Sequence, residues 1–304
     1  DWREIHDRDG TWRRLEESLS GRGVPSIEEA YGETVLAPIH EPFRRVMNAE
    51  MLRVLIAGPT QEHRAQLETA LRQFLDAVTA YLGTILDANA VVASVFRELN
   101  TLTALKPPKP VDGYLMKPMA DAREKNTLEA FWRVPVALAI LRPIGHARLA
   151  GDYTANAAAR MDEWMLAKVA MEAFAQLDGD ESAALHDALL IKILLTHSPV
   201  LDFAPNAGGA LLVRRMFEDV SVQRFLAINR HRGFLWLRKE PLERLVYWLV
   251  FENIVALRCM RGARKETIMA RYQNGQDLLR AAEEAGYRID RLLELLGREK
   301  GGGL

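Results

Sequence analysis

The sequence predicts an all-α protein, an irregular multi-helix bundle or array with a proline-rich internal linker. Three observations lead there. Apolar residues recur three and four positions apart almost throughout, the spacing that gathers side chains on one helix face. Strict apolar–polar alternation over a strand's length is hard to find. Capping signatures stand before apolar runs, as at Ser26-Ile27-Glu28-Glu29 and Asn126-Thr127-Leu128-Glu129, where the first side chain satisfies an orphan helix N–H and the last reaches back. No fixed-period self-similarity supports a solenoid.

The elements follow in order. A helix is expected from Ser26. Pro38 and Pro42 then punctuate the approach to a second, carrying Phe43, Val46, Met47, Met51, Leu52 and Leu55, which Gly58-Pro59 ends. From Gln61, the series Leu67, Leu71, Phe74, Leu75, Val78, Tyr81, Leu82 and Ile85 holds one apolar face for about seven turns. Ala88 to Leu105 continues with Val92, Val95, Phe96, Leu99 and Leu102. Lys106-Pro107-Pro108-Lys109-Pro110 cannot be helical, because each proline lacks an N–H and forces its predecessor toward extended geometry. The chain therefore divides into an N-terminal helical segment, 1–105, a linker or loop, 106–118, and a C-terminal helical bundle, 119–304, or the two helical parts form one continuous domain. In the last part, Phe131 and Trp132 lead into a kink or restart at Pro135. Asn156 to Leu177 reads as one long helix, Asp178-Gly179-Asp180 as a turn with a cap, and Leu185 to Leu195 as the next helix. Helices near Leu211–Phe217, Val222–Ile228, Leu242–Met260, Gln276–Ala285 and Asp290–Leu296 complete the set.

Composition excludes several function classes. Forty Lys and Arg against forty-one Asp and Glu give a formal charge of −1, so no bulk field draws the chain to nucleic acid or to a membrane surface, and neither is expected as a partner. No span reaches eighteen uncharged apolar residues. The one cysteine, Cys259, can form no internal disulfide and favours a reducing, cytoplasmic setting. The start at Asp1, without methionine or an apolar leader, and the tail Gly301-Gly302-Gly303-Leu304 point to a segment of something longer.

No motif carries chemistry on its own. Phosphate-loop, nucleophile-elbow and zinc-protease patterns are absent, and no glutamate stands three before a histidine as a di-iron bundle requires. The seven histidines show no metal-ligand spacing, and neither metal nor cofactor is expected. Asp178-Gly179-Asp180 lacks the third oxygen ligand and the closing glutamate of a calcium loop. His197, Ser198 and Asp202 name the members of a hydrolase triad but lie too close in sequence, at a helix-ending turn marked by Pro199.

One stretch remains, Asn229 to Leu245, reading NRHRGFLWLRKEPLERL. A helix over Val222–Ile228 is expected to end at Asn229 in a left-handed cap, with Arg230, His231 and Arg232 either complementing the negative end of its dipole or holding an anion or a partner carboxylate. Gly233 permits a reversal, Phe234 to Leu237 pass through extended and buried, and Pro241 opens a helix apolar nearly all round, the centre of its bundle. Trp236, outside any helix, has an aromatic face suited to a sugar ring.

The run Val222-x-x-Phe225-Leu226-x-x-Asn229-Arg230-x-x-Gly233-x-Leu235-Trp236-x-x-Lys239-Glu240 resembles a segment of large bacterial proteins of the α-amylase superfamily of glycoside hydrolases, where it lies in a helical region away from the catalytic barrel. It covers about thirty residues. That family's strand-and-helix barrel and its acid and nucleophile motifs are missing, so the resemblance carries over no catalytic residue. It implies a non-catalytic accessory or interaction domain, supporting a catalytic domain of the same chain or another protein, with α-glucan as a further candidate contact. The candidate binding residues of the stretch are Asn229, Arg230, His231, Arg232, Trp236, Lys239 and Glu240. Two other readings stay open, an all-α enzyme with a site assembled between helices and a helical protein–protein scaffold.

Overall fold

The computed structural model describes residues 27–83, 86–105, 128–145, 147, 157–202, 207–260 and 265–297. The proline-rich linker and the residues that would cap the first helix and the helix at Leu128 lie outside them. The architecture is all-α and irregular, with no closed barrel, propeller or solenoid among the described residues.

In the first part, α1 (Ile27–Val46) packs along α3 (Gln61–Leu82), with α2 (Ala49–Ala57) joining them in sequence and α4 (Ala88–Leu105) following. The helical periodicity of α3 does what its sequence dictates, burying Leu67, Leu71, Phe74, Leu75 and Val78. Thr60 caps it by accepting from the His63 N–H. Pro38 and Pro42 do not divide α1 as expected, and the helix runs through both. Four residues apart, they place their missing donors on the same side, while Ile39, Phe43 and Val46 bury completely. The packing of that face offsets the cost of about 3 kcal/mol that an interior proline carries.

Helices on both sides of the linker share one core. At its centre, α5 (Leu128–Gly145) is buried on every side from Phe131 to Leu141, passing Pro135 and Pro143 without a restart. The Phe131 ring stacks on Trp248 at 5.0 Å and meets Phe251 edge-on at 5.6 Å, which joins α5 to the second central helix, α11 (Lys239–Cys259). The expected long helix 156–177 is instead two, α6 (Ala157–Glu163) and α7 (Leu166–Asp178), because Met165 turns left-handed at φ 48°. The buried His40 Nε2–H donates to the Trp164 carbonyl at 2.8 Å, taking up an acceptor at the break. Gly179 and Asp180 form the expected turn and cap, and α8 (Glu181–His197) follows. With the 3₁₀ turn Ser198–Leu201, it is long and apolar enough to cross a membrane, yet over half of its apolar window is buried, and its Asp187 accepts from Arg133 Nε of α5 at 2.5 Å. It is packed as a core helix.

The chain ends in α9 (Ala207–Glu218), α10 (Val220–Phe225), a short hairpin of β1 (Asn229–His231) and β2 (Phe234–Trp236), then α11, α12 (Lys265–Glu284) and α13 (Ile289–Gly297). Where α12 crosses α11, a Cβ built on Gly275 would stand 2.7 Å from Val250 Cγ2 and 3.3 Å from Val246 Cγ1. Both valines are held to one helix rotamer and cannot swing aside. Gly275→Ala should therefore destabilise by about 1–2 kcal/mol even after the gain in helix propensity. Urea denaturation checks this, and the loss should shrink in a Val250→Ala background; equal losses in both backgrounds would count against the clash.

Candidate functional site

The seventeen-residue stretch folds differently from its expected form. Helix α10 stops at Phe225, the left-handed residue after it is Ala227 at φ 47°, and Asn229 begins a strand. The strands pair antiparallel with Asn229 opposite Trp236, Arg230 opposite Leu235 and His231 opposite Phe234. Arg232 at φ 49° and Gly233 at φ 83° supply the two consecutive left-handed residues that a primed hairpin turn needs. The basic residue in the last turn of α10 is Arg224, so Arg230, His231 and Arg232 belong to the hairpin and not to the helix dipole. Phe234 is exposed and Leu235 and Trp236 are half-buried, so of the expected buried run only Leu237 is in the core. A two-stranded ribbon has a face with nothing to cover it.

The ribbon is braced from a distant part of the chain. Trp236 bridges to Arg288, the Leu237 N–H donates to the Tyr287 carbonyl at 2.8 Å, and the Arg288 guanidinium lies 4.0 Å from the Phe234 ring centre. Arg288 is held in turn by two bonds to Asp290, one of them Nε to Oδ1 at 3.0 Å, which keep that carboxyl below its usual range. Of the candidate residues, Asn229, Arg230, His231, Arg232 and Trp236 come together on the hairpin. The side chains of Arg230, His231 and Arg232 are exposed and have no ion-pair or hydrogen-bond partner among the described residues. The Trp236 indole N–H is buried without an acceptor. Lys239 turns away toward Tyr287 and Glu283, with Nζ 3.7 Å from the Glu283 carboxylate, and these groups push its pKa up. Glu240 is exposed on the first turn of α11.

A second polar cluster, which the sequence reading missed, lies between helices. Arg142 of α5 donates to Glu98 of α4 at 2.9 Å and meets Glu252 of α11 at 2.8 Å. Ser198 Oγ also donates to Glu252, and Asn253 Nδ2 donates to the carbonyls of Ser198 and Leu249, each at 2.9 Å. One guanidinium thus faces two carboxylates. Burial pushes Glu98 up to about 7 against the pull of Arg142, and burial raises Glu252 as well. Burial opposes the Arg142 charge, but the two glutamates outweigh it and raise its pKa. The signal available in sequence was the presence of single ionisable residues inside otherwise apolar runs, Arg142 in VALAILRPIG and Glu252 in WLVFENIVAL, each of which demands a partner.

The triad names disperse. His197 Nε2 contacts Asp219 at 2.8 Å, Ser198 serves Glu252, and Asp202 pairs with Arg271 at 2.8 Å. The His197 contact helps hold Asp219 below its usual pKa against burial, and Asp219 also accepts from the Ser221 N–H at the start of α10. Among the described residues no group of three or more His, Cys, Asp or Glu side chains could hold a metal ion. No family model, no curated protein and no solved structure matches the chain.

Proposed function

We propose that this chain is a non-catalytic α-helical accessory domain of a larger, α-amylase-like protein, which docks on a catalytic domain of the same chain or on another protein. The observation that carries the reading is the placement of its polar chemistry. Unpaired cations stand in solvent on the braced hairpin, whereas the carboxylates with displaced protonation are shut between helices, with the Glu252 side chain only 2% exposed. A surface so divided is suited to contact and unsuited to turnover. An α-glucan contact on this hairpin would fall on the Phe234 ring, which is exposed, whereas Trp236 is half-buried.

The test is activity of the purified chain on amylose, glycogen and maltooligosaccharides. The reading expects neither new reducing ends nor redistributed chain lengths. Hydrolysis or transfer by the chain alone overturns it, and so does a parent reading frame that encodes no catalytic domain. One observation favours a second reading, an all-α enzyme, because a carboxyl near pH 7 is tuned as a general acid or base would be. Under that reading Glu98→Gln abolishes whatever activity the assay finds.

A further inference from the structure

We propose that the β1–β2 hairpin tip is a docking element for a compact carboxylate-rich surface on a partner protein, with Arg230 and Arg232 as the recognising groups. This rests on the accessory-domain reading and adds the chemistry of the partner. Residues 229–239 carry Arg230, Arg232, Arg238, Lys239 and His231 and not one carboxylate, in a chain whose formal charge is −1. Lys239 pairs with Glu283, and Arg288 behind the hairpin with Asp290, so these two acids are held by other cations. Arg230, Arg232 and Arg238 are exposed and without an ion-pair partner among the described residues.

The conformation of the turn is the independent observation. Position 232 is left-handed, at φ 49°, where asparagine or glycine is at ease and a long side chain is strained. Strain kept at an exposed tip, with no packing in return, is expected where the side chain itself is needed. Cross-strand pairing puts His231 and Phe234 on one face and Arg230 on the other, so charge surrounds the tip and does not form a flat stripe. A guanidinium takes a carboxylate by two parallel N–H bonds, and two such forks fit an acidic pocket or loop. A nucleic-acid backbone fits less well. Past Lys239 the sequence continues into the exposed Glu240, and a formal charge of −1 supplies no broad positive field for a polyanion.

The experiment titrates the whole chain with a short fluorescein-labelled poly-glutamate peptide and, separately, with a single-stranded oligonucleotide of equal charge, following anisotropy as salt is raised. The peptide should bind saturably and weaken as the Debye length contracts to about 8 Å at physiological salt. Charge reversal by R230E with R232E should weaken it roughly tenfold. The matched reversal R45E with K265E, at exposed positions on α1 and α12, should leave it unchanged. Arg232→Asn should weaken peptide binding and raise the thermal midpoint, since it relieves the turn while removing the fork. The proposal is overturned by a peptide that does not saturate, by equal weakening in the matched control, by tighter binding of the oligonucleotide, or by an Arg232→Asn chain that binds as the wild type does. Any of these leaves the glucan result standing, and glucan turnover would overturn the accessory reading without altering the titration.

Discussion

Replacing Arg142 by methionine should cost about 3–5 kcal/mol at neutral pH. The side chain is 13% exposed and lies between two carboxylates that are themselves 11% and 2% exposed. Methionine keeps much of the volume, so little of the loss is a cavity. What remains is two acids in a medium that solvates neither, and both must bind protons or draw in water. The damage should spread along the elements they belong to, because Glu98, Arg142 and Glu252 tie α4, α5 and α11 at one point, and Ser198 and Asn253 extend the tie to the 3₁₀ turn. Adding Glu98→Gln and Glu252→Gln to Arg142→Met should recover most of the loss, since a neutral set needs no counter-charge. Urea unfolding followed by circular dichroism measures both. A loss below about 1 kcal/mol for the single variant, or no recovery in the triple, would show that water reaches the cluster and that the charges are screened.

That the cluster was overlooked while its helices were found follows from the kind of signal each leaves. The face of α3 is written locally, in Leu67, Leu71, Phe74, Leu75 and Val78, and so is the end of α2 at Gly58. Helix α4 was expected over the residues it occupies. Pairing is not local. Arg142 lies 44 residues from Glu98 in sequence, and nothing near either names the other. The break at Met165 has the same origin, since the apolar pattern of Met161, Trp164, Val169 and Phe174 continues across it and His40, which takes the Trp164 carbonyl, is 124 residues away. The hairpin was half legible. Gly233 announced a reversal, but Arg-Gly is not the Asn-Gly or Asp-Gly that marks a primed turn, and the brace at Tyr287 and Arg288 comes from the far side of α11 and α12.

Glu98→Gln should make the chain more stable than the wild type at pH 8, by about 3 kcal/mol at the most, with the advantage gone near pH 4.5. The sign follows from proton binding. In the folded chain Glu98 holds its proton up to about pH 7, against 4.5 for a free side chain, so between those values the folded state binds more protons than the unfolded one. Its contribution is therefore fully present below pH 4.5 and is lost as pH rises through 7. Glutamine can still accept from Arg142 and carries no charge to desolvate, which removes the alkaline penalty. Two histidines work in the opposite direction. Burial lowers His40 and His186 below 6.5, with Arg244 adding to the effect at His186, so their contribution is present above 6.5 and is lost as pH falls through their folded values. Neither sign can be read from the wild-type curve alone, but both histidines remain in the variant and cancel in the difference between the two curves. Chemical denaturation of the pair from pH 4.5 to 8 isolates Glu98. A difference that stays flat over that range would mean the carboxylate is ionised throughout, and that Arg142 outweighs the burial which raises it.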